Sequence, residues 1–136
     1  MIVDTSALLA FFDDREPDHD AVVEVIASTS ELLVVPPYVV AEFDYMVAKK
    51  HGTAAELAAL GDLAGGAWDL PTFGIPDVKQ ARTVIEKYRD QDIGVTDASI
   101  VVLADRYATR TITTLDRRHF DVVRPIKGGK FSVLPR

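Results

Sequence analysis

Four carboxylates stand where a folded chain could bring acids together: Asp4, Glu42, Asp97 and Asp116. Each also has an ordinary structural role open to it. Asp4 follows Ile2-Val3 at a strand-to-helix junction and could cap the next helix, although Thr5 and Ser6 are available for that task. Glu42 has Tyr38, Val39, Tyr45 and Met46 as its helical neighbours. An ionised carboxylate in that setting is costly unless a metal or a lysine such as Lys49 satisfies it. Asp97 opens a helix, where the dipole favours any acid. Asp116 precedes Arg117-Arg118-His119 and could be a turn residue.

Taken together, the acids point to hydrolysis. Carboxylates converging at one edge of a sheet repel one another unless a divalent ion lies between them. With metal present, one ion can acidify a water and a second can stabilise the leaving oxygen. The chain has no cysteine, and its three histidines (His19, His51, His119) are scattered, so the metal must be held by oxygen. That donor set suits Mg²⁺, with Mn²⁺ as the alternative. Asp4 and Asp97 are expected to bind one ion directly, with Glu42 and Asp116 completing the cluster or holding a second. The hydroxyls of Ser6 and Thr96 are placed to hold waters around it.

The elements that must position these acids alternate in type. Short apolar strands are expected at Ile2–Val3, Leu32–Pro36, Trp68–Leu70, Thr111–Leu115 and Phe131–Leu134. Helices are expected after Asp4, over Asp18–Ser28, from Tyr38 to about His51, and over Thr53–Leu63, Pro76–Arg89 and Thr96–Tyr107, with a helical turn near Arg117–Val122. Strands separated by helices imply an α/β fold with a parallel sheet covered on both faces. Ligands bind beyond the carboxyl ends of such strands, where Asp4 and Asp116 fall. No linker or repeat divides the chain, so residues 1–136 are expected to form one domain.

The net charge of −6 argues against a nucleic-acid ligand until its distribution is considered. Residues 1–105 carry 7 Lys and Arg against 19 Asp and Glu, whereas residues 106–136 carry 8 against 2. A local basic stripe can hold phosphate on an acidic protein, and Arg117 and Arg118 beside Asp116 are the candidate phosphate contacts. No basic leader or long apolar run is visible, so the chain reads as cytoplasmic, with no membrane association. A haloacid-dehalogenase phosphatase would need a second acid two positions after Asp4, where this chain has Ser6. A dinucleotide-binding role lacks its glycine-rich turn. Trp68 and the Phe11-Phe12 pair are expected in the core or at a subunit interface.

Four motifs in series carry a resemblance: Met1-Ile2-Val3-Asp4-Thr5-Ser6, Pro37-Tyr38-Val39-Val40-Ala41-Glu42, Gly94-Val95-Thr96-Asp97-Ala98-Ser99 and Thr114-Leu115-Asp116-Arg117-Arg118-His119-Phe120. In this order the chain resembles the PIN-domain nucleases, in particular the toxin subunits of VapBC-type toxin–antitoxin pairs. The resemblance implies a three-layer α/β/α sandwich around a mostly parallel five-stranded sheet. It also implies metal-dependent cleavage of structured RNA (tRNA, rRNA or mRNA), a homodimer and a cognate antitoxin protein. Asp4, Glu42, Asp97 and Asp116 match the family's acidic positions. The alternative is a catalytically silent PIN-like module that binds RNA or protein, but such a module would be expected to have lost acids that this chain retains.

Overall fold

The structure, a computed structural model, describes residues 1–136. Its elements run β1 (Ile2–Val3), α1 (Thr5–Phe12), α2 (His19–Ser28), α3 (Pro37–His51), α4 (Thr53–Leu63), α5 (Ile75–Lys87), a 3₁₀ turn (Arg89–Gln91), α6 (Val95–Arg106), β2 (Thr111–Thr113) and β3 (Ser132–Leu134).

The sheet is parallel, with β2 between β1 and β3. Ile2 pairs with Ile112, and Ile112 with Val133, three apolar residues stacked across the strands. Two of the five expected strands shrink to single bridged residues, Val34 beside Ile2 and Asp69 beside Val34. The reason lies in the flanking chain. Val34 accepts from Val3 N and donates to Met1 O, both at 2.9 Å, but Pro36 and Pro37 lack the N–H groups that would carry the ladder further. Asp69 N donates to Leu33 O at 2.7 Å, and the segment turns away at Pro71. The expected α/β plan is therefore present, with a regular sheet of three strands and two single-residue bridges beside it. The expected helical turn near Arg117–Val122 is a series of turns.

Helix α6 organises the interior. Every residue from Ala98 to Leu103 is buried, as is Ala104, so this helix is apolar all round and must sit inside the molecule. It packs against α5, α3 and β1. The fully buried Ser99 donates its hydroxyl to Thr96 O at 2.6 Å, which removes the cost of a polar group there. Helix α3 begins with Pro37 in its first turn and ends at Gly52, whose φ of 86° suits glycine. Phe11, Phe12, Phe43 and Trp68 form one aromatic cluster with ring centroids 5.2–6.0 Å apart, in which Phe43 is buried and the other three are partly buried against the core. A hydrophobic core of 29 buried residues joins β1, β2, β3 and all six α-helices.

Candidate active site

The carboxyl ends of β1 and β2 and the start of α6 meet at one edge of the sheet, and three of the acids arrive there on different elements. Asp4 ends β1 in extended conformation and is the N-cap of α1, its Oδ1 accepting from Thr5 N at 2.8 Å. The capping task expected of Thr5 or Ser6 thus falls to Asp4, because its carboxylate lies directly over the first N–H of the helix. Capping does not exhaust it. Oδ2 accepts from the Thr114 hydroxyl at 2.8 Å.

That hydroxyl belongs to a web. Asp116 N donates to Thr114 Oγ1 at 3.1 Å, and Leu115 N donates to Ser6 Oγ at 2.9 Å. The Ser6 and Thr114 oxygens lie 3.1 Å apart. Two side-chain hydroxyls therefore stitch the end of β1 to the chain leaving β2. Burial pushes the Asp4 carboxyl up from 3.8 to about 6; Asp97 and Glu42 add to the rise, and the bonds from Thr114 and Thr5 oppose it.

Asp97, in the first turn of α6, is half-buried, and its Oδ2 lies 2.8 Å from His119 Nδ1. Burial raises its pKa, and His119 and the Gly94 backbone draw it back. Asp116 is differently placed. Arg118 donates from Nε to Oδ1 at 2.9 Å and from Nη2 to Oδ2 at 2.8 Å, a two-pronged bond that holds the carboxyl below its usual range.

Glu42 projects from α3 into solvent. It has no ion pair: Lys49, its expected alternative partner, lies over the Tyr45 ring at 5.7 Å instead. Asp44, two residues after Glu42, is half-buried with Oδ1 unpartnered, and it pushes up the pKa of Glu56 on α4. Ser6 stands in the hydroxyl web, while Thr96 lies one residue before Asp97 and lends its carbonyl to Ser99.

Two residues of this site escaped sequence reasoning. Thr114 was legible only as the hydroxyl two residues before Asp116, and the sequence carries no sign that His119 meets Asp97. The basic stripe itself is largely engaged. Arg106 bonds Asp77 at 2.6 Å, Lys127 lies 3.7 Å from Asp105, and Arg117 donates to Val133 O at 3.0 Å.

The donor chemistry, all carboxylate and hydroxyl oxygen around an acid raised by burial and further by its like-charged neighbours, fits a hard divalent cation. As the side chains stand, no three Asp, Glu or His groups gather around one point. His119 and Arg118 engage Asp97 and Asp116 instead.

The PIN domain family model matches residues 1–125, and the chain belongs to the PIN-domain family. It is 62% identical over 135 residues to a curated protein of Mycobacterium tuberculosis named Ribonuclease VapC26, covering 99% of this chain and 100% of that one. Among solved structures it resembles Mycobacterium tuberculosis VapC20, titled a sarcin-ricin loop cleaving toxin, with a TM-score of 0.74 at 16% identity over 82% of this chain and 85% of that one. It also resembles VapBC2 from Rickettsia felis bound to a promoter DNA fragment, with a TM-score of 0.73 at 15% identity over 98% of each chain. At such identities these structures speak for the fold.

Proposed function

We propose that this chain is a metal-dependent endoribonuclease, the toxin of a toxin–antitoxin pair, hydrolysing phosphodiester bonds in RNA through Asp4, Glu42, Asp97 and Asp116. One observation carries the catalytic reading. Asp4 is a nearly buried acid raised to about 6 with Asp97 and Glu42 adding to the rise, an arrangement that costs stability unless a cation is to be bound. The relationship to Ribonuclease VapC26 supports RNA as the substrate class. The family resemblance supports a five-stranded sheet within the α/β/α layering, and the sequence supports a single domain over residues 1–136.

Asp4, Asp97 and Asp116 would hold the ion, with Glu42 at the rim. Mg²⁺, or Mn²⁺ in its place, supplies a Lewis acid that acidifies water and offsets the charge of the scissile phosphate. The chain's own residues do the positioning. Thr114 fixes the Asp4 carboxylate through Oδ2, and Ser6 and Thr96 offer hydroxyls to ordered water. Of the two expected phosphate contacts, Arg118 is the one proposed here for RNA: its side chain is 81% exposed against 43% for Arg117, which is tied to Val133 O.

Partners follow from the fold's relatives and from one groove. A cavity of about 950 Å³ between α1, α3 and α4 is lined by Leu9, Phe12, Phe43, Met46, Val47 and Ala59, an apolar floor suited to an amphipathic antitoxin segment. A homodimer is proposed on the same family grounds. No helix is long and apolar enough to cross a membrane, which accords with the proposed cytoplasmic location.

Cleavage of total cellular RNA, followed with magnesium titrated into chelated protein, tests this reading. Activity is expected to vanish in EDTA and return with Mg²⁺ or Mn²⁺. Full cleavage in excess EDTA would overturn the metal dependence. RNA binding without cleavage at any metal concentration would favour the silent-module alternative.

A further inference from the structure

The segment after Asp116 alternates anchored and free side chains. Arg117 Nη1 donates to Val133 O at 3.0 Å and to Pro135 O at 3.3 Å, which ties the segment to β3. Phe120 is 2% exposed and meets Phe131 edge-on at 6.3 Å. Between these anchors, Arg118 and His119 turn to the acids. Both Asp116 oxygens are taken by the Arg118 fork, and one Asp97 oxygen faces His119 Nδ1.

We propose that Arg118 is a built-in counter-ion that competes with the divalent metal for Asp116, and that metal binding releases its guanidinium to a phosphate of the nucleic acid. The proposal rests on the metal-dependent reading above and adds an order of events to it. On that reading a hard cation draws on an Asp116 oxygen, and both oxygens already accept from the Arg118 fork, whose positive charge opposes a second cation there. The side chain is 81% exposed, so giving up this pair costs little. Its guanidinium has no other acceptor in the protein, so once displaced it is left to solvent or to an anion. Arg117 cannot take that part without releasing β3. Because the two ions share one carboxylate, metal and nucleic acid should each tighten the binding of the other.

Mn²⁺ titration followed by electron paramagnetic resonance, without nucleic acid, reads the first half. Arg118→Ala is expected to bind Mn²⁺ about two- to five-fold tighter than wild type, the scale of an exposed ion pair. Arg118→Lys, which keeps the charge but cannot span both oxygens, should also bind tighter than wild type. Equal affinity of wild type and Arg118→Ala overturns the proposal. A gain in Arg118→Ala but none in Arg118→Lys reduces the effect to net charge and overturns it too. Failure of all three proteins to bind Mn²⁺ removes the metal-dependent reading itself, and the proposal with it. For the second half, binding of an oligothymidine probe should tighten on adding Mn²⁺, and tighten less in Arg118→Ala. Equal tightening overturns the release to phosphate.

Discussion

The two sides of the acidic site keep their carboxylates by opposite means. At the β1 end, Asp4 is buried, held by neutral hydrogen bonds from Thr114 and Thr5, and raised to about 6. At the β2 end, Asp116 is half-exposed, gripped by a cation and lowered. Asp97 stands between them, raised by burial and drawn back by His119. The buried acid is destabilising by itself and rigidly aimed; the half-exposed acid is comfortable and free to change partner. A site that must bind metal can use both, one carboxylate preformed and costly, another available on exchange.

The largest expected effect breaks the buried side. Asp4→Asn keeps a cap acceptor for Thr5 N but loses the charge, so RNA cleavage should fall by at least about a hundredfold, measured as kcat with saturating metal. The same substitution should stabilise the metal-free protein at neutral pH. Asp4 has its folded pKa above its unfolded one, so the wild type loses stability as pH rises from about 3.8 to about 6 and stays low beyond. The variant's advantage should open over that window, reaching on the order of 3 kcal/mol by denaturant melts, and vanish in acid. An equal difference at all pH values would assign it to packing instead.

A smaller effect sharpens the exposed side. Arg117→Ala removes the charged donor of two β3-end carbonyls and should cost roughly 1–2 kcal/mol of stability. Arg118→Ala should stay within about 0.5 kcal/mol of wild type in the same melts. It should instead lower the slope of log RNA affinity against log salt by about 0.7. The reverse pattern would exchange the roles of these neighbours.

The smallest effect is at Glu42. Exposed and without an ion pair, Glu42→Gln should leave the melting curve within about 0.5 kcal/mol of wild type while reducing cleavage. A large loss of stability would mean the carboxylate supports α3.

Much of this was legible in the sequence because the signals are local. Gly52 and the two prolines before Tyr38 bracket α3, and Thr53–Leu63 is recognisable from its alanines and the glycines that follow. The four acids stood out by position, after strands or at helix starts. Less legible was the partnership of neighbours. Nothing in Arg117-Arg118-His119 as a string says that the first points back to β3, the second to Asp116 and the third to Asp97. Three of the five expected strands are regular and the other two are met by one residue each, for a similar reason, since Val34 and Asp69 pair with other strands only there.

By itself, then, the sequence determined the alternation of strands and helices, the oxygen-only donor set and the concentration of positive charge after residue 105, since these depend on residue type and spacing along the chain. Only the tertiary structure decided which hydroxyl holds Asp4, which cations stand on Asp97 and Asp116, and that Glu42 faces water. Those outcomes depend on the parallel pairing of β1 with β2, which brings Ser6 within 3.1 Å of Thr114 across 108 residues of chain. Burial and charge pairing are properties of that through-space meeting, and no local pattern encodes them.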